Sequence, residues 1–188
     1  MPLNLPNLVT LLRIVLIPLI VGVFYLPDAW LSGEGKNIAA TAIFIIAAIT
    51  DWLDGYLARR LNQMSAFGAF FDPVADKLVV VGALIVLLTL GRVDMVVGLI
   101  IIGREIAISA LREWMAQLGR AKSVAVAYIG KLKTVLQMVA IPLLLFEDLL
   151  FGVIDSHALG TVLIYIAAVL TVISMLYYLR RALPLAQG

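Results

Sequence analysis

Asp51, Asp54, Asp72 and Asp76 lie within the segment DWLDGYLARRLNQMSAFGAFFDPVAD, at or beside the ends of two strongly apolar stretches. Carboxylates at the margin of hydrocarbon are costly and are retained for pairing or for a task. Asp51 and Asp54 are three residues apart and Asp72 and Asp76 four apart, so each pair shares one face of a helix. Pro73 suits a first helical turn and Asp72, just before it, suits an N-cap. The short link from Arg60 to Phe71 is expected to keep the two helix ends adjacent, so that all four carboxylates converge.

A bare cluster of this kind repels itself. Two divalent cations would bring its formal charge near zero, and all-oxygen ligands favour Mg²⁺ or Mn²⁺. Two ions roughly 3.5–4 Å apart clamp both sides of a phosphoryl displacement. The other use of such a carboxylate is to take a proton from an attacking hydroxyl. The plainer reading is four helix caps and interface charges. Gly55, Ala58 and Gly68 leave bare positions beside the aspartates, where a ligand or a neighbouring helix can come close. Arg59 is either a phosphate contact or an inner-face charge.

A basic patch follows. Arg104 and Arg112 are eight residues apart, on nearly the same helical face, and Arg104 sits inside an apolar run. Lys131 and Lys133 open a later helix after Gly130, where cations oppose the helix dipole and an anion would answer them. Ordinary inner-face positive charge is the alternative for all four. Glu105 is expected to pair with a basic residue or to support the metal site from behind.

The elements that must hold these residues are helices. The chain has 188 residues, of which 63% are hydrophobic and 14% charged, far too apolar for an ordinary soluble domain. Mean hydropathy is +1.09. The net charge of +2 gives no argument for nucleic acid, and the absence of cysteine removes disulfide and thiolate chemistry. Six apolar runs, roughly 8–26, 38–60, 73–91, 94–115, 131–149 and 158–179, are long enough to span a bilayer. An all-α polytopic membrane protein with six transmembrane helices is expected, as one membrane-embedded catalytic domain over 1–188 with a short interfacial N-terminal segment. The first run shows no cleavage site and is expected to stay.

With both termini inside, twelve of the Lys and Arg residues fall on the inner face and only Lys36 and Arg92 on the outer. The aspartates then face the cytoplasm. Arg13 either snorkels to headgroups or reaches an anionic lipid substrate, and Asn7 or Thr10 is a candidate helix cap. His157 is expected on the outer side, away from the aspartates. Tyr25, Trp30, Tyr177 and Tyr178 read as interfacial belt aromatics. Trp52 and Trp114 either border a lipid entrance or anchor their helices.

Asp51-Trp-Leu-Asp54-Gly55-Tyr-Leu-Ala58-Arg59, followed after eight residues by Gly68, Asp72 and Asp76, resembles the signature of the CDP-alcohol phosphotransferase family. Every fixed position of DGxxAR, eight residues, GxxxDxxxD is present, and the likeness extends over almost the whole chain. PNLVTLLR, GREIAISALREW and GKLKT are similar to the bacterial branch that uses glycerol 3-phosphate as acceptor. The resemblance implies a homodimer in the bacterial cytoplasmic (inner) membrane with its active site facing the cytoplasm. It implies that Asp51, Asp54, Asp72 and Asp76 hold two divalent cations, Mg²⁺ or Mn²⁺, with Asp76 also the base. Gly55, Ala58, Arg59 and Gly68 would surround the cytidine diphosphate of CDP-diacylglycerol. Arg104, Arg112, Lys131 and Lys133 would take the phosphate of glycerol 3-phosphate, and the products would be phosphatidylglycerophosphate and CMP. The rivals are a sibling enzyme with another acceptor such as inositol phosphate or serine, a divalent-cation transporter, and a purely structural membrane protein.

Overall fold

A computed structural model describes residues 5–60, 66–119, 128–150 and 152–186. Among the described residues the chain forms six α-helices: α1 (Leu5–Val23), α2 (Gly33–Arg60), α3 (Ala66–Thr89), α4 (Met95–Gln117), α5 (Tyr128–Phe146) and α6 (Ser156–Ala186). A two-residue antiparallel hairpin joins α5 to α6, with β1 (Leu149–Leu150) opposite β2 (Ile154–Asp155). The all-helical expectation holds.

Boundaries differ from the sequence reading in one instructive place. The third helix starts at Ala66, not near 73, so Pro73 lies inside it and Asp72 is not its N-cap. The apolar run Ala66–Phe71 carries the helix through the proline, which forfeits the bond its missing N–H would have given to the carbonyl of Ala69. Similarly, α1 already begins at Leu5, so Thr10 is an interior residue and not a cap, and the expected lead-in from Leu5 onward is continuous with the first helix. Side-chain N-caps are found elsewhere: Asp94 accepts the Val96 amide of α4 at 2.8 Å, Ser32 the Gly35 amide of α2 at 3.2 Å and Asp155 the Ala158 amide of α6 at 3.0 Å.

α1 lies along α2 and α3, α5 along α6, and α4 rests on α6 while α2 crosses to α5. One apolar core runs through all six helices. It includes Leu16 and Ile20 of α1, Phe44 of α2, Leu84 and Leu87 of α3, Ile101 of α4, Leu144 of α5 and Ile164 of α6. Small residues such as Ala40, Ala47, Ala83, Ala140 and Ala168 let the helices approach closely. The outward faces are also apolar: Val15, Ile49, Ile85, Leu99, Val139 and Val169 are exposed. Helices hydrophobic on both faces suit a hydrocarbon surround. Among the described residues, Ser156–Arg180 is the helix long and apolar enough by length and composition to cross a membrane, with 25 residues and a mean hydropathy of 2.4. α3 and α4 carry charges within their own length, Asp72, Asp76 and Lys77 in one and Arg104, Glu105, Arg112 and Glu113 in the other.

The end of the bundle remote from the aspartates is fastened by Arg92. Its Nη1 donates to the carbonyls of Leu144 and Leu145 at 3.2 and 2.9 Å, and its Nη2 donates to Asn37 Oδ1 at 2.9 Å and pairs with Glu147. The carbonyls at the C-terminus of α5 thus receive a cationic donor from the α3–α4 turn. Burial pushes the Arg92 guanidinium below its usual range, while Glu147 draws it back up. His157, in the first turn of α6, has its Nδ1 3.7 Å from Glu147 Oε1, away from the aspartates as expected.

Gly160 of α6 is a contact point with α5. A Cβ there would stand 2.8 Å from Leu144 Cγ and 3.2 Å from the Ala140 carbonyl oxygen. Leu144 is fully buried and cannot swing aside. Gly160→Ala is therefore expected to lower unfolding stability by about 1–3 kcal/mol, read from thermal unfolding in detergent.

Candidate active site

Two side chains of α1 reach the acidic motif. Thr10 Oγ1 donates to Asp72 Oδ1 at 2.7 Å, and Arg13 Nη1 donates to Asp51 Oδ1 at 2.6 Å. Both α1 residues are 1% exposed. Arg13 thus neither snorkels nor waits at a headgroup, because a guanidinium this deep needs a carboxylate partner and finds one on α2. α1 packs against α2 and α3 more extensively than these two pack on each other, so it serves as the bridge between the two halves of the motif.

Next to this bridge is a cavity of about 440 Å³. α3 contributes Asp76 and Lys77, α4 contributes Arg104, Glu105 and Arg112, and α5 contributes Lys131 and Lys133. All four basic residues singled out from the sequence therefore share one cavity with Asp76. Asp76 lies within electrostatic range of Asp51, Arg13, Glu105 and Lys77, which places the cavity beside the acidic motif.

Glu105 organises the basic wall. Its Oε1 accepts Arg104 Nη1 at 2.9 Å and also pairs with Lys133 Nζ from the neighbouring helix. Arg104 and Lys133 are buried, and Arg104 Nε has no hydrogen-bond partner among the described residues. A buried donor of that kind is costly unless a further acceptor arrives. The Arg112 guanidinium lies 5.7 Å over the ring of Tyr178 in α6. Tyr178 is 1% exposed, which corrects its reading as a belt aromatic: it supports a cavity wall. Lys131 remains exposed at the rim.

The side chains of Asp54, Gly55, Ala58 and Arg59 lie outside the described residues, as do those of Asn7 and Trp52. Gly68 is buried near the start of α3. Among the described residues no group of three or more acidic or histidine side chains is gathered tightly enough to hold a metal ion. The structure brings Asp51 and Asp76 into mutual range and ties Asp72 to α1, and Asp72 and Asp76 share a helical face. The donors present are all carboxylate oxygens, and the Asp51 side chain is 44% exposed and accessible from solvent. That set fits a hard divalent cation. The cationic wall fits a phosphate, for which Arg provides a planar fork and Lys a point charge.

Sequence reasoning missed the partnership of Thr10 and Arg13 with the aspartates, and it missed Gln137 and Thr134 in the cavity lining. A signal for the first was available: Thr10 and Arg13 are three apart on one face of an otherwise apolar helix, where polar side chains call for partners. Gln137 and Thr134 gave none, since polar residues at that spacing on a helix are commonplace.

An all-helical chain with this acidic signature on two helices joined by a third defines the class, and the chain belongs to the CDP-alcohol phosphatidyltransferase family, whose family model matches residues 3–173. Its similarity to individual members is nearly full-length. It is 49% identical over 190 residues to the CDP-diacylglycerol–glycerol-3-phosphate 3-phosphatidyltransferase of Escherichia coli (strain K12), covering 97% of this chain and 96% of that protein. Proteins of the same name from Salmonella choleraesuis (strain SC-B67) and Shigella flexneri are 50% and 48% identical over the same shares.

The Glu105–Lys133 link between α4 and α5 is expected to be coupled. Glu105→Gln, Lys133→Met and the double variant should give an interaction energy of about 1–3 kcal/mol in thermal unfolding. A value near zero removes this pair as a determinant of helix register.

Proposed function

We propose that this chain transfers a phosphatidyl group from CDP-diacylglycerol to sn-glycerol 3-phosphate, giving phosphatidylglycerophosphate and CMP. The observation that carries the reading is the single cavity in which Asp76 meets Arg104, Arg112, Lys131 and Lys133. The near full-length similarity to enzymes named for this reaction supports the same substrates. The protein works as a homodimer in the bacterial inner membrane, its six helices spanning the bilayer and its acidic end facing the cytoplasm. The apolar outer faces and the inner-face excess of Lys and Arg support that placement.

The donor lipid enters from the cytoplasmic leaflet, with Gly55, Ala58, Arg59 and Gly68 around its nucleotide. Asp51, Asp54, Asp72 and Asp76 would hold two divalent cations, Mg²⁺ or Mn²⁺, which supply charge neutralisation for the pyrophosphate and for departing CMP. Arg104, Arg112, Lys131 and Lys133 bind the phosphate of glycerol 3-phosphate and orient its far end toward Asp76. Asp76 takes the proton of the 1-hydroxyl. The freed oxygen bonds to the phosphorus that carries diacylglycerol, the bond from that phosphorus to the CMP oxygen breaks, and its electron pair leaves with CMP. Four cations around the acceptor favour a phosphorylated alcohol over serine.

An acceptor screen tests the reading. Purified protein with labelled CDP-diacylglycerol is offered glycerol 3-phosphate, inositol phosphate and serine, and the lipid product is identified by mass spectrometry. Phosphatidylglycerophosphate is expected as the main product; a dominant product from another alcohol replaces the assignment with a sibling activity, and no CMP release with any acceptor overturns it.

Two variants follow from the residue roles. Asp72→Ala is expected to abolish CMP release while the protein still folds; near-normal turnover would contradict a role for this carboxylate. Lys131→Ala, at an exposed position, is expected to raise the KM for glycerol 3-phosphate about tenfold, with little change in the KM for CDP-diacylglycerol. Equal effects on both substrates would take Lys131 out of the acceptor site.

A further inference from the structure

We propose that Arg13 is a built-in counter-cation of the acidic site, holding Asp51 when no divalent ion is present and competing with the ion for that carboxylate. The inference rests on the metal-binding role proposed above and assigns a part to a helix that carries none of the signature residues.

Five observations converge on it. Arg13 is 1% exposed in the middle of an apolar helix, where an unanswered guanidinium is prohibitive. It answers its charge on Asp51, 38 positions away, at 2.6 Å. The Asp51 side chain nevertheless keeps 44% exposure, so the same carboxylate that faces Arg13 is open to an incoming cation. One turn earlier, Thr10 donates to Asp72 on α3, so α1 contacts one carboxylate from each half of the signature. The other buried cations of the region, Arg104 and Lys133, are engaged by Glu105, which leaves Arg13 as the cation bonded to Asp51 among the described contacts.

The charge arithmetic gives the direction of the effect. Without Arg13 the empty cluster is more negative, so it repels itself more strongly and attracts a divalent ion more strongly. A residue that only shaped the site would, on removal, weaken ion binding. A counter-cation, on removal, strengthens ion binding and weakens the ion-free protein. Arg13 is thus a positioning residue whose signature is opposite shifts in two measurements.

The test uses the full chain in detergent, stripped with a chelator and melted across a Mn²⁺ titration. Wild type is expected to gain melting temperature with Mn²⁺. Arg13→Gln should melt lower than wild type in chelator, yet reach half of its Mn²⁺-induced shift at a concentration at least about tenfold lower. Arg13→Lys, which keeps the charge, should stay within about threefold of wild type. An unchanged or raised half-saturating concentration in Arg13→Gln overturns the inference. Should Arg13→Gln fail to fold, the double variant Arg13→Gln with Asp51→Asn, lacking both charges, should regain a melting temperature near wild type in chelator; failure to regain it also overturns the inference. A wild-type protein with no response to Mn²⁺ defeats the metal reading itself, whereas a wild-type response that Arg13→Gln leaves unaltered defeats the counter-cation alone.

Discussion

Charge placed inside an apolar helical bundle has to be answered by charge from another helix, and that requirement organises this chain. Arg13 of α1 answers Asp51 of α2. Glu105 of α4 answers Lys133 of α5 together with its own neighbour Arg104. Arg92, in the turn between α3 and α4, answers Glu147 beyond the end of α5. Apolar packing among these helices is non-directional, so sliding one helix along another changes it gradually. The ion pairs are directional and strand a buried charge if displaced. They therefore fix register, and the register puts the acidic motif and the basic wall beside the same cavity.

The division of labour between the two ends follows. At one end the ion pairs close on themselves: Arg92 is spread over two carbonyls, an amide oxygen and a carboxylate. At the other end they stop short of closure. Among the described residues Arg104 Nε lacks a partner, as Arg92 Nε does at the first end, but here Lys131 is also exposed and Asp51 remains open to solvent. Exposed charge gathered around a cavity is what a ligand site requires.

Much of this was legible in the sequence because the carriers are local. Apolar run lengths gave the six helices, and a spaced signature gave the acidic motif. A cation inside an apolar run singled out Arg104, and all four basic residues proposed from the sequence line one cavity. What escaped depends on partners far away in the chain. Arg13 looked like an interfacial arginine because its partner is 38 positions on. Tyr178 looked like a belt residue because nothing in its neighbourhood announces Arg112, from two helices earlier, as the group above its ring. The extension of α3 back from Pro73 to Ala66 was hidden because a proline suits the first turn of a helix, whereas here the apolar run before it carries the helix through.

The single Glu105 oxygen that engages both Arg104 and Lys133 has a consequence for the anion-binding role proposed for this wall. Long basic side chains normally surrender rotational freedom when a phosphate arrives, which erodes affinity. Here that freedom has already been lost during folding, because a resident carboxylate holds both heads in place. The incoming anion meets a wall that is stiff before contact, so less of its attraction is consumed in ordering the receptor. The same carboxylate also tempers the positive field, so a product that has given up its fit to the wall can leave.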